Sequence, residues 1–180
     1  MLNLTIEGDE FYDEEANQFS TVGDVELQLE HSLVSLSKWE SRTKKAFLSK
    51  ESKSTDEIRS YVEAMIITPN YPPDIVSRLS EKNMRDINAY IESSESATTF
   101  GAMPETKGRG ETITSELIYY WMVAFSIPFE CERWHLNRLF ALIRICNLKN
   151  SKPKKMSRQE LAARNRALNE KRRAELNTSG

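Results

Sequence analysis

Residues 112–148, TITSELIYYWMVAFSIPFECERWHLNRLFALIRICNL, are the most apolar part of the chain and decide its class. Ile113, Leu117, Tyr120, Trp121 and Ala124 mark one helix face, and Ile118, Tyr119, Met122 and Phe125 widen it nearly all round. Ser126-Ile127-Pro128 ends that helix. Pro128 can open the next one at its first turn, where a missing N–H costs nothing. Trp134, Leu136, Leu139, Phe140, Leu142, Ile143, Ile145 and Cys146 continue the apolar pattern. Helices apolar on most faces are buried by others, so the spacing predicts a tight αα-hairpin at the centre of a mainly helical domain.

Working outward from that centre, the N-terminal end changes period. Leu2-Asn3-Leu4-Thr5-Ile6 and Val25-Glu26-Leu27-Gln28-Leu29 alternate with period two, and Gly8-Asp9 follows the first run as a turn. Residues 1–30 therefore read as a small antiparallel β hairpin, which must pack on helices because a lone hairpin is marginal in water. From Ser32, Leu33, Leu36, Trp39 and then Phe47 suit a helix, unbroken or with one break. Ser54-Thr55-Asp56-Glu57 has the form of a capping box, and Ile58, Tyr61, Val62, Met65 and Ile66 give one buried face until Pro69, Pro72 and Pro73 intervene. A short helix is expected at 73–79. Another follows the cap Ser80, with Met84, Ile87, Tyr90 and Ile91 on one side. Residues 93–111 carry glycine, proline, serine and charge and read as a loop, with Thr98-Thr99-Phe100 as a candidate extended piece.

Toward the C-terminus, residues 149–155 form a basic linker around Pro153. Ser157-Arg158-Gln159-Glu160 opens a last helix with the form of a second capping box. That helix has few apolar positions, chiefly Leu161, Leu168 and Leu176. Burying three leucines contributes too little to order about twenty residues unaided. The segment reads as a conditional helix, firm when docked and frayed when free. The fold class is thus mainly α (α+β). A helical domain, 1–150, includes the hairpin of 1–30, and a basic helical extension covers 151–180.

The chain has 180 residues, enough for a core without staples. It contains no apolar run of about 18 residues, which argues against a transmembrane helix. The opening Met1-Leu2-Asn3-Leu4 leads into Glu7, Asp9 and Glu10, the wrong charge order for a secretory signal. Cys131 and Cys146 do not resemble a disulfide framework and suit a reducing cytosol. The net charge of −2 conceals a polarity: residues 1–30 hold nine acids and no Lys or Arg, whereas 152–180 hold nine bases against three acids. Such polarity can steer a partner or draw two copies together head to tail.

No catalytic constellation stands out, and the chain is read as a binding protein without cofactor or metal, not an enzyme. His31 sits between Glu30 and Ser32, and neighbours in extended chain point to opposite faces, so they form no triad. Cys131 and His135, four apart in helix-like sequence, could supply two metal ligands but lack a second pair. Glu116, Glu130 and Glu132 are expected to pair with Arg133, Arg138 or Arg144. No glycine-rich phosphate loop or nucleophile elbow is present. The basic tail has no aromatic residue for base stacking, and the sequence pI of 5.8 argues against a nucleic-acid footprint. Candidate partner-binding residues are Trp121, Phe125, Trp134 and Phe140, as a groove for an amphipathic helix. Lys154, Lys155, Arg158, Arg164, Arg172 and Arg173 join them on the tail.

Four stretches resemble a family of tailed-phage and prophage proteins described as tail assembly chaperones. They are EHSLVSLSKWE at 30–40, TITSELIYYWMVA at 112–124, IPFECERWHLNRLFALIRICNLKN at 127–150 and PKKMSRQELAARNRALNEKRRAELNTSG at 153–180. The resemblance covers nearly the whole chain and is weakest over 93–111. It implies a cytoplasmic protein of the infected bacterial host that binds the tape measure protein, helps recruit tail tube subunits and is missing from the finished virion. Nothing in the sequence shows the frameshifted longer form that many tail chaperones have. Two other classes compete: a structural virion component such as a neck or tail completion protein, and a nucleic-acid binder using the basic tail.

Overall fold

Leu4, Ile6, Leu27 and Leu29 are buried while Asn3, Thr5, Glu26 and Gln28 alternate with them at the surface, and this alternation builds the N-terminal ribbon. The structure is a computed structural model. It describes residues 1–13, 18–100, 112–150 and 158–176, with side chains omitted for 9–22 and 160. Strands β1 (Leu2–Ile6) and β4 (Val25–Leu29) pair antiparallel, as do β2 (Asp9–Asp13) and β3 (Gln18–Val22). One register runs through both ladders, from Leu2 opposite Leu29 to Asp13 opposite Gln18. The hairpin is therefore one long ribbon interrupted at residues 7–8 and 23–24, where the Gly8 amide instead donates to the Asp24 carboxylate at 2.7 Å. Leu4, Ile6, Leu27 and Leu29 of β1 and β4 pack into the core of the body.

A further rung joins the other edge of β4. The Glu30 amide donates to the Met65 carbonyl at 2.9 Å, the Ile67 amide donates to the Gln28 carbonyl at 2.9 Å, and Leu29 and Ile66 form a bridge. Ile66-Ile67-Thr68 is β-branched and precedes Pro69, which disfavours helical geometry at Thr68. Helix α2 (Thr55–Met65) thus ends before Ile66, which leaves the helix face assigned to it and covers the strand edge.

Serines start the first three helices. Ser32 caps α1 (Leu33–Thr43) with Ser35, Ser54 caps α2 with Glu57, and Ser80 caps α3 (Glu81–Glu92) with Asn83, each as a reciprocal capping box. Helix α1 ends at Lys44, which takes a left-handed backbone (φ 59°) and donates its N–H to the Glu40 carbonyl. The break lets the following loop return Phe47 against Trp39 and Tyr61, stacked on the tyrosine with ring centroids 3.7 Å apart. Tyr61, Val62 and Met65 are buried as the spacing predicts, and so are Ile87 and Tyr90 of α3.

Three expectations fail here. Residues 73–78 form turns, not a helix. Their bonds span three residues, such as Ile75 N–H to Pro72 carbonyl and Ser77 N–H to Asp74 carbonyl, since so short a run closes tight three-residue turns rather than the four-residue ladder of an α-helix. The apolar centre is no tight hairpin either. Helix α4 (Ser115–Ala124) packs on α1, and residues 125–135, with a 3-10 helix at Phe129–Arg133, separate it from α5 (Leu136–Asn150). Only Ser115, Ile118 and Met122 of α4 are buried, while Tyr120 and Val123 face outward. Thr98-Thr99-Phe100 forms no strand.

The chain divides into two compact units, Met1–Asn147 and Leu148–Gly180. Among the described residues the buried apolar core lies in the first, drawn from β1, β4, α1 to α5, Ile66, Ile75, Ile127 and Cys131. The second contains α6 (Arg158–Leu176), which is helical as the sequence predicts and leaves Leu161, Leu168 and Leu176 exposed. Ser157 and the Glu160 side chain of the expected capping box lie outside the described residues, as do Lys154 and Lys155. No described helix is long and apolar enough to cross a membrane.

Candidate functional site

The core contains a polar cluster. His31 and His135 are buried with ring centroids 5.1 Å apart, and the Tyr61 hydroxyl lies 2.7 Å from His31 Nδ1. Ser32 and His135 form a bridge, and the Leu136 amide donates to the His31 carbonyl at 2.7 Å, so the two histidines are joined through backbone as well. His135 Nε2 lies 3.0 Å from the Tyr90 carbonyl, and its Nδ1 accepts from the Asn137 amide at 3.3 Å. Both bonds together fit only the neutral ring with its proton on Nε2. Burial, and then the facing His135, lowers His31 to a pKa of about 4; burial also lowers His135. Beside them, Glu30 accepts from the Tyr90 hydroxyl and pairs with the Met1 amine at 3.0 Å. Burial and the Glu30 carboxylate push the Tyr90 hydroxyl up.

This cluster knits the end of β4 to α2, α3 and the start of α5. The sequence does not reveal that His31 meets His135, more than a hundred residues away. No periodicity carries that information. Cys131 and His135 do not share a helix, since Cys131 lies in the 3-10 helix and His135 just before α5, so their four-residue spacing does not carry the expected geometry. Among the described residues no group of three His, Cys, Asp or Glu could hold a metal ion. Cys131 and Cys146 are free thiols.

Glu40 is a second buried polar joint. One of its oxygens accepts from the Phe47 amide at 3.1 Å and the other from the Ser115 amide at 2.7 Å. It thereby ties α1 to the loop after it and to the first turn of α4, whose exposed N–H groups and positive dipole end favour a carboxylate.

At the surface, Trp121, Phe125, Trp134 and Phe140 are half-buried and pack against the core. Of the four, Phe140 lines a groove of about 330 Å³ with Phe100, Asn137, Ala141 and Arg144. The other three do not share that groove. Arg138 covers Trp134 at 4.2 Å and Arg144 covers Phe100 at 4.0 Å, both within cation–π reach. Those arginines stack on rings in place of the expected carboxylates: Glu132 accepts from the Tyr119 hydroxyl and Glu116 from Ser115. Among the described residues Glu116, Glu130 and Glu132 form no ion pair. Of the predicted basic residues, Arg158, Arg164, Arg172 and Arg173 lie exposed on α6. Comparison with known protein families, curated proteins and solved structures finds no match.

Two surface features were not foreseen. A groove of about 510 Å³ is lined by the apolar Met1, Val34, Ala64 and Ile67 and by the charged Lys38, Arg133 and Glu30, the last already paired with the Met1 amine. Ile67 is half exposed there because the strand-like segment that covers β4 turns it outward. Separately, Tyr120, Val123 and Phe129 form an exposed apolar patch on α4 and the 3-10 helix, joined through Tyr119, whose ring lies 6.3 Å from that of Phe129. The all-round apolar character of 115–124 signalled this patch, although periodicity assigned it to the core.

Proposed function

We propose that this chain is a tail assembly chaperone of a tailed phage, which binds the tape measure protein and aids recruitment of tail tube subunits. The resemblance of residues 30–40, 112–124, 127–150 and 153–180 to that family supports the reading. The observation that carries it on the physical side is the groove of Met1, Val34, Ala64 and Ile67 edged by Lys38 and Arg133. A helical client with an apolar stripe and flanking acids would lay the stripe on those walls and set its carboxylates against the two cations. The buried histidines serve the fold, and the chain acts by binding.

Co-expression with the tape measure protein encoded by the same phage tests the proposal. A soluble complex that co-purifies is expected, and Ile67→Asp should weaken it by about tenfold or more, the usual cost of losing an apolar anchor. Failure of the unaltered pair to co-purify under any salt condition refutes the reading. Mass spectrometry of purified particles separates it from a structural virion component: a chaperone is missing from the particle.

A further inference from the structure

We propose that α6 of one copy docks on the Tyr120–Val123–Phe129 patch of a second copy, so that the chain self-associates through its basic tail. The proposal is independent of the chaperone reading. Two surfaces with exposed large apolar side chains carry it, and they match in both polarity and charge.

The first surface is α6. Leu161, Leu168 and Leu176 are 49%, 42% and 71% exposed, and their spacing of seven and eight residues keeps them within one helical stripe. Arg158, Arg164, Arg166, Lys171, Arg172 and Arg173 make the same helix basic. A helix with so narrow an apolar stripe gains its stability from whatever covers that stripe.

The second surface is the patch. Tyr120, Val123 and Phe129 are 65%, 62% and 55% exposed, large apolar side chains where a solvated helix would place polar ones. Three acids lie on the same two elements, with Lys44 near Glu116 as a counter-charge. Glu116 lies one turn before Tyr120 on α4, Glu130 follows Phe129, and Glu132 is held by Tyr119. The helix-start bonds of its own amide, and then of Thr114, hold the Glu116 carboxyl below its usual range, so it stays charged. Arg133 is the only base in the 3-10 helix.

A basic leucine stripe and an acid-flanked aromatic patch are complementary, and each copy carries one of each. The contact is heterologous. It closes when two copies exchange α6 reciprocally, and otherwise extends to rings or chains.

Sedimentation of the full chain and two full-length variants tests this. The patch variant is Tyr120→Ser, Val123→Ser and Phe129→Ser; the tail variant is Leu161→Ser, Leu168→Ser and Leu176→Ser. All six positions are exposed, so both variants keep the core, which circular dichroism verifies. The unaltered chain should self-associate, more weakly as salt rises. Each variant alone should associate at least about tenfold more weakly. Mixing them should restore association, because one supplies an intact α6 and the other an intact patch. A chain that stays monomeric at about 100 µM overturns the proposal. So does association that survives in either variant, or a mixture no tighter than its components.

Discussion

Replacing Glu40 tests how much of the fold hangs on one buried carboxylate. Its two oxygens accept from different backbone amides, Ser115 at 2.7 Å and Phe47 at 3.1 Å, and the residue is only 6% exposed. A hydrogen bond to a charged group contributes about 1.5–3 kcal/mol, and an amide left buried without a partner costs about 1–3 kcal/mol. Glu40→Ala removes both acceptors and strips the carboxylate from the start of α4. The expected loss is about 3–5 kcal/mol, the upper figure applying if water does not reach Ser115. In a unit of this size that lowers the melting temperature by roughly 10 °C. Glu40→Gln keeps one acceptor oxygen and turns an NH2 toward the other amide, so it should lose about half as much. Urea unfolding followed by circular dichroism gives the free energies, and hydrogen exchange at the Ser115 amide reports the local effect. Loss of under about 1 kcal/mol in Glu40→Ala, or unchanged exchange at Ser115, refutes the argument that this carboxylate joins α1 to α4.

Three further outcomes are expected. Stability should fall on acidification: His31 has its folded pKa lowered to about 4 while the unfolded chain takes up the proton near 6.5. The contribution is complete above about pH 6.5 and lost as the pH falls toward 4, on the order of 3 kcal/mol in all. His31→Gln should flatten urea midpoints measured between pH 7 and 4; an unchanged slope contradicts the assignment. The lowered pKa of Glu57, about 2, places its own loss at more acid pH than this window. Trp39, fully buried with its indole N–H donating to Ser60 at 2.7 Å, should cost about 3–5 kcal/mol as Trp39→Ala, whereas Ser60→Ala costs about 1 kcal/mol. At a concentration low enough to keep the chain monomeric, the tail variant Leu161→Ser, Leu168→Ser and Leu176→Ser should leave the unfolding free energy of the 1–147 unit within about 0.5 kcal/mol, because the described core lies inside that unit; a larger shift contradicts the division into units.

Elements whose signals are local can be read from the chain directly. Period-two alternation placed β1 and β4, serine caps marked where α2 and α3 begin, and apolar spacing picked out Tyr61, Val62, Met65, Ile87 and Tyr90 as buried. The sequence also marked the basic tail as a helix poor in apolar residues. Tertiary structure alone decided what depends on distant partners. The Ile66–Thr68 segment left the helix pattern to pair with β4, since an open strand edge offers it hydrogen bonds. Residues 112–148 became two separated helices with an exposed patch because α4 found its partner in α1, with its first turn held by Glu40. His31 and His135 met because a backbone bridge aligned their chains, and periodicity within either segment is blind to a neighbour a hundred residues away.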